Sequence, residues 1–147
     1  MRLSALFLFI TITLLSCGSS GLMTKSELNA LSPKFIMEKG VERYINYDNK
    51  GALYYYNSII ELYGENESAQ EYVAWAHYEV GFINYMENRK PEAVASLQKV
   101  LQTLSPSKAP HVLAAKLLKK IESEQKKNEP PAVVTNSSAP LTNTPAN

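Results

Sequence analysis

The feature that most constrains the fold of this chain is a similarity between two segments of its middle region at an offset of 41 residues. Small residues align with small ones and large with large at five of six positions. The aligned pairs are Gly40 with Gly81, Tyr44 with Tyr85, Ala52 with Ala93, Tyr56 with Leu97, Ile59 with Val100 and Leu62 with Thr103. Self-similarity at such a period is the signature of a repeat protein. Because a small residue lets two helices approach closely, the repeated unit is predicted to be a helix pair.

Helix signals occur throughout these units. Ser32 precedes Pro33, which places a cap before a proline at the first helical position. Ser68 and, less clearly, Thr24 are followed three residues later by a glutamate, the spacing of a capping box. Apolar residues recur three and four positions apart, and no segment shows sustained strand alternation. We expect an all-α fold with a short turn at 26–31 and five main helices near 33–46, 50–63, 68–87, 91–104 and 109–127.

The spacing of small and large residues resembles the tetratricopeptide repeat (TPR). The residues that match the packing positions of this family are Gly40, Ala52 and Tyr56 in one unit and Gly81, Ala93 and Leu97 in the next. The period of 41 exceeds the usual 34 by about two helical turns, which lengthens the second helix A. The resemblance implies an antiparallel helix-pair solenoid of about two and a half repeats over 26–127. A generic helical bundle is the alternative.

The resemblance also implies a concave groove lined by the first helix of each pair. The groove positions are Trp75, Tyr78, Phe82, Tyr85 and Met86 in the second unit, and Met37, Val41 and Tyr44, with Lys34 and Ile45, in the first. Aromatic and methionine side chains are suitable anchors for an apolar segment of a partner. The alternative is that a neighbouring helix or the N-terminal segment covers this stripe. Because so short a solenoid has few helices that could cover this stripe, we expect the stripe to bind a partner.

The N-terminal region is typical of an export signal. Arg2 is its only charge, and the apolar run 3–15 is about 13 residues long, whereas a membrane-spanning helix needs about 20. We therefore predict a signal peptide over 1–16. The alternative, a buried N-terminal helix, is disfavoured by the lack of a polar face.

The only cysteine, Cys17, follows this run directly. The sequence Leu14-Leu15-Ser16-Cys17 resembles the lipobox of bacterial lipoproteins, which implies that Cys17 is lipidated and that 17–25 forms a tether. No aspartate follows the cysteine, which by the same resemblance implies the outer membrane. A secreted protein with a free thiol is the alternative.

Charge is sorted along a chain whose net charge is only +1, which disfavours a nucleic-acid partner. The stretch 61–87 contains six glutamates and no lysine or arginine, whereas basic residues dominate 89–127. We interpret both as solvated helix faces, and docking to an acidic partner or to lipid headgroups is the alternative. The segment 128–147 is rich in proline, asparagine, serine and threonine, and we predict it to be disordered.

Catalytic signals are weak in this sequence. His77 and His111 are isolated, and no P-loop, G-x-S-x-G or paired-histidine motif occurs. We expect no enzyme activity, no cofactor and no metal site.

The sequence therefore predicts a lipid-anchored interaction module of the bacterial envelope. Its long helix pairs and its cysteine resemble the BamD-like lipoproteins of the β-barrel assembly machinery and the YbgF-like periplasmic coordinators. The resemblance implies envelope protein partners, among them a β-barrel assembly component, and a position on the periplasmic face of the outer membrane. A self-associating structural or cell-wall-associated lipoprotein is the main alternative, and an envelope hydrolase or carbohydrate binder is a third.

Overall fold

A computed structural model describes residues 21–128 of this protein, and this part is all-helical without strands. Its helices are α1 (Lys25–Asn29), α2 (Pro33–Ile45), α3 (Asn49–Tyr63), α4 (Gln70–Met86), α5 (Lys90–Gln102) and α6 (Ala109–Asn128). The all-α prediction is confirmed, and the five main helices end within two residues of their expected bounds. The predicted signal peptide, Cys17 and nearly all of the predicted disordered tail lie outside the described residues.

The helix starts follow from capping chemistry, with one exception. The Ser32 hydroxyl accepts a hydrogen bond from the Phe35 amide, and Thr24 forms both halves of a capping box with Glu27. The capping box predicted at Ser68 is wrong, because a 3-10 turn over Glu67–Ala69 precedes α4, which has no side-chain cap. The side chain of Asn66 instead accepts a hydrogen bond from the Ser68 amide at 3.0 Å. An asparagine side chain readily forms such a local turn. Ser68 therefore lies inside the 3-10 turn, where its side chain does not cap α4.

Each helix pair is held by a glycine against a large side chain. A Cβ placed on Gly40 would lie 2.4 Å from Cε1 of Tyr56, and one on Gly81 would lie 2.8 Å from Cγ of Leu97. Both glycines precede their partners by 16 residues, with the connecting turn midway, so α2 and α3 run antiparallel, as do α4 and α5. All six predicted packing residues are buried.

The central helix α4 contributes to two hydrophobic clusters. Val73, Ala76 and Ile83 pack in a cluster with residues of α1, α2 and α3. Ala74, on another face of the same helix, packs with residues of α5 and α6. Because α4 is contacted from both sides, it is the helix that joins the two units.

Tyrosine hydroxyls fasten the N-terminal segment to α3. Tyr54 donates to the Met23 carbonyl at 2.6 Å, the Met23 amide donates to the Tyr55 hydroxyl at 3.2 Å, and Tyr63 donates to the Leu31 carbonyl. Three of the nine tyrosines of this chain therefore hold the segment before α2. Among the described helices, none has the length and apolar character needed to cross a membrane.

Candidate functional site

The candidate site is a cavity of about 340 Å³ between α2 and α4. Its lining residues are Met37 and Val41 from α2 and Glu71, Tyr72, Trp75 and Glu79 from α4. Three of the ten predicted groove residues, Met37, Val41 and Trp75, thus meet around one cavity. Val41 is 45% exposed, so the cavity is accessible from solvent.

Helical spacing explains why these α4 residues share a face. Glu71, Trp75 and Glu79 follow one another at intervals of four, and Tyr72 lies three residues before Trp75. The glutamates were predicted to lie on a solvated face, and Tyr72 was not predicted for this site. The spacing of four residues from Trp75 is the sequence signal that places Glu71 and Glu79 on the same face of α4.

The charge of this cavity is not compensated. Glu79 is largely buried, and burial raises the pKa of its carboxyl to about 6. Neither the Glu71 nor the Glu79 side chain forms a hydrogen bond or an ion pair with any residue of the described part of the chain. Burial, together with the nearby Glu79, also raises the pKa of Tyr56 and Tyr78. The site therefore combines apolar and aromatic walls with two carboxylates that have no cation beside them.

A row of aromatic rings continues from the cavity along α4. The ring centroids of Trp75 and Tyr78 lie 5.9 Å apart in an edge arrangement, and Tyr78 stacks on Phe82 at 6.2 Å. Tyr44 of α2 meets the Phe82 ring edge-on at 6.4 Å. These are favourable aromatic geometries, so the rings form a rigid wall that links α2 to α4.

The last predicted groove residues lie elsewhere. The Tyr85 hydroxyl donates to Glu124 of α6 at 2.7 Å, and Lys120 Nζ lies 5.1 Å from the centre of the Tyr85 ring. A neighbouring helix therefore engages Tyr85, which is the arrangement that the alternative interpretation of the stripe expected. Met86 is 60% exposed at the C-terminal end of α4.

A second, larger hollow of about 890 Å³ lies between the ends of α3, α4 and α5. It includes His77, whose pKa is lowered by burial and by nearby Lys99. No phenylalanine, tyrosine or tryptophan lines it, so it lacks the anchor side chains of the smaller cavity. Within residues 21–128, no group of three or more histidine, cysteine, aspartate or glutamate side chains is placed to hold a metal ion.

No protein-family model, curated protein or solved structure matches this chain.

Proposed function

We propose that this protein is a lipid-anchored, TPR-like interaction module of the bacterial envelope, with its anchor at Cys17 and its binding site in the cavity between α2 and α4. The lipobox-like sequence supports the anchor. The recurrence of a glycine-to-large-residue contact in both helix pairs supports the TPR-like arrangement.

The position of α6 further supports a solenoid. In this arrangement α6 is the first helix of a third, incomplete unit. It contacts both α4 and α5, just as α4 contacts both α2 and α3. The repetition of one packing relationship along the chain is what distinguishes a solenoid from a generic bundle.

The observation that carries the binding proposal is the composition of the cavity. Trp75 and Tyr72 provide aromatic surface, and Met37 and Val41 provide aliphatic surface on the facing helix. Aromatic and methionine side chains are effective anchors for apolar partner segments, and aromatic faces beside carboxylates attract cations. The partner is therefore a protein segment that brings an apolar residue together with a lysine or arginine into the cavity.

Site-directed photocrosslinking in the producing bacterium tests this proposal. A photoreactive residue at Val41, on the cavity rim, should yield one discrete adduct with an envelope protein. The matched control is the same residue at Glu92, an exposed position on α5, which should yield none. In a Trp75→Ala background the Val41 adduct should fall several-fold. Equal labelling from both positions, or no adduct from either, would count against the groove.

The partner and location follow from the resemblance to BamD-like lipoproteins. We propose a β-barrel assembly component as the partner and the periplasmic face of the outer membrane as the location. Co-purification of a large β-barrel protein with the lipidated chain supports this, whereas recovery only from the inner membrane contradicts it. The proposal describes a binding module rather than a hydrolase or a carbohydrate binder.

Self-association is the second candidate, and the C-terminal end of the array favours it. Leu101 is 46% exposed, Leu104 is 89% exposed and Val112 is 50% exposed, all near the connection between α5 and α6. A solenoid whose last unit is incomplete lacks the second helix that covers such side chains, and a second copy can take its place.

A further inference from the structure

The described chain begins beside the turn between α2 and α3. The side chain of Arg43 donates to the Gly21 carbonyl at 3.1 Å and pairs with Asp48 of this turn at 3.2 Å. From there the chain runs along α3 to Met23 and then α1, where Lys25 pairs with Glu61. The N-terminal segment therefore reaches the domain at the turn and not at the opposite end.

Two contacts place further elements at the same end. Asn49 of α3 donates to Glu87 at 2.8 Å, which joins the α2–α3 turn to the α4–α5 turn. Lys90 of α5 pairs with Glu124 at 3.0 Å, which brings the last turns of α6 alongside. We call this the turn end of the domain. It consists of Gly21, the two turns at 46–48 and 87–89, and the C-terminal part of α6.

Large apolar side chains are exposed at the turn end. Ile45 is 66% exposed, Met86 is 60% exposed, Leu22 is 44% exposed and Tyr47 is 94% exposed. A bare cluster of this kind on a small domain indicates a surface that meets an apolar or interfacial environment.

The backbone of Tyr47 strengthens this point. Tyr47 has a φ of 60°, a conformation that costs a bulky side chain free energy. The equivalent position in the second unit, 41 residues later, holds Asn88 with the same φ, and asparagine tolerates it well. The turn itself therefore does not require a tyrosine. We attribute the exposed aromatic ring to a contact outside this domain.

The charges at the turn end are favourable for an anionic surface. Asp48 pairs with Arg43, Glu87 with Arg89 and Glu124 with Lys90, whereas Glu92, in the first turn of α5, is exposed without a basic partner in the described part of the chain. Lys50 and Lys127 are exposed and have no acidic partner within the described residues. The connection between α3 and α4, at the opposite end, carries glutamates and no basic residue. An anionic membrane therefore attracts Lys50 and Lys127 at the turn end.

We propose that the turn end is a membrane-contact surface, with Ile45 and Tyr47 at headgroup depth in an anionic bilayer and with Lys50 and Lys127 facing its phosphates. This inference rests on the proposed lipid anchor, because Gly21 is four residues from Cys17 and four residues span at most about 14 Å. Tyrosine is well suited to an interface, since its ring is apolar and its hydroxyl stays in water.

A comparison of two labelled positions tests the orientation. The lipidated full chain is reconstituted in vesicles of equal parts phosphatidylglycerol and phosphatidylcholine. An environment-sensitive fluorophore is attached to Tyr47→Cys or, as the matched control at the opposite end, to Glu65→Cys. Lipids with brominated acyl chains should quench the label at position 47 several-fold more than the label at position 65. Equal quenching at both positions on vesicle-bound protein overturns the inference and leaves the anchor standing.

The state of Cys17 separates failure of the anchor from failure of the surface. A lipidated Cys17 is blocked as a thioether and does not react with a thiol reagent. If it does react, the anchor is wrong, and the same labels in a Cys17→Ser full chain then decide the surface on the same vesicles. If the labels at positions 47 and 65 are quenched equally, the turn end is not a membrane surface. If the fluorescence of the label at position 47 changes with protein concentration in the absence of vesicles, a second copy of the chain covers it. Either result overturns the inference.

Substitutions at the two ends provide an independent measurement. In the Cys17→Ser chain, Tyr47→Asn places the residue type of the second unit in the turn, so the fold is retained. Its vesicle affinity should fall several-fold, whereas Leu104→Asn, which removes an equally exposed apolar side chain at the opposite end, should have no effect. Charge reversal by Lys50→Glu with Lys127→Glu should likewise weaken binding, and Lys108→Glu should not. Equal effects at both ends overturn the inference.

Discussion

Gly40 faces the ring of Tyr56 so closely that a methyl group at position 40 would lie within 3 Å of three ring atoms, the nearest at 2.4 Å. The ring belongs to a side chain that is only 1% exposed, and it forms part of the main hydrophobic cluster. The distance between α2 and α3 is therefore set by the absence of a side chain on one helix and the width of a ring on the other.

Gly40→Ala should destabilise the domain. Alanine gains up to about 1 kcal/mol of helix propensity, but forcing a methyl group into a packed core costs about 1–3 kcal/mol. Because the ring cannot move outward, we expect a net loss, measurable as a lower midpoint in urea denaturation. In a Tyr56→Ala background the same change should be neutral or stabilising, because the ring that the methyl group would meet is gone. An equal loss in both backgrounds would show that the ring is not the obstacle.

Glu79→Gln should stabilise the protein at neutral pH. The pKa of Glu79 is raised by burial from 4.5 to about 6 in the folded state, so the folded protein binds more protons than the unfolded one between these values. Stability therefore falls as pH rises through this window, by about 2 kcal/mol at ~1.4 kcal/mol per pKa unit. The variant should remove this fall, so its free energy of unfolding should exceed that of the wild type above pH 6.

Other groups do not obscure this measurement, because His77, whose pKa is lowered by burial and by Lys99, titrates in wild type and variant alike and cancels in their difference. Tyr56 and Tyr78 are the tyrosines that respond to the charge of Glu79, and the pKa of each is raised, so neither titrates in the same window. Denaturation is followed at several pH values, with the exposed Glu92→Gln as the control that removes a carboxylate without relieving burial. A parallel pH dependence in wild type and Glu79→Gln would contradict the prediction.

Tyr85→Phe should loosen α6 in a pH-dependent manner. Hydrogen bonds from Tyr85 and then from Lys90 lower the pKa of the Glu124 carboxyl, so this group stabilises the fold above its ordinary range and loses that effect as pH falls. The variant should give faster amide hydrogen exchange in α6 at neutral pH, and the difference should shrink once Glu124 is protonated, because a neutral carboxyl accepts a weaker hydrogen bond. Exchange in α2 serves as the internal reference and should not change.

Leu104→Ser combined with Val112→Ser should abolish self-association, if the exposed end of the array mediates it. Both side chains are at least half exposed, so the substitutions remove apolar surface without opening the core. Sedimentation velocity on the Cys17→Ser chain should show a concentration-dependent dimer that is lost in the double variant. Leu22→Ser, at the turn end, is the matched control. A dimer that survives the double variant would assign the contact to another surface.

Local signals were sufficient to predict the helices and their order. Ser32 with Pro33, and the glycine recurring at an offset of 41, act within one turn or one helix pair. The misplaced cap at Ser68 arose from a competition between two neighbouring capping side chains, which spacing rules do not rank. Contacts between distant elements, such as Tyr85 with Glu124 at a separation of 39 residues, depend on tertiary packing and so were not predictable from spacing.

The candidate site was predicted in outline. Trp75, Met37 and Val41 were expected in a groove, and they do line one cavity. Glu79 was not expected there, because a charged side chain is usually predicted to face solvent. Its position on α4 nevertheless places it beside the cavity. The burial of an ionisable side chain depends on how closely α2 approaches α4, and no local pattern encodes that distance.

Helix α2 runs from the cavity to the turn end, so its length fixes the distance between them. Met37 precedes Ile45, the last residue of α2, by eight residues, so about 12 Å separates them along the helix axis. With Ile45 and Tyr47 at the lipid headgroups, Met37 in the cavity wall stands about two helical turns above the bilayer. The cavity would then select, by height alone, segments of a partner that lie just outside the membrane.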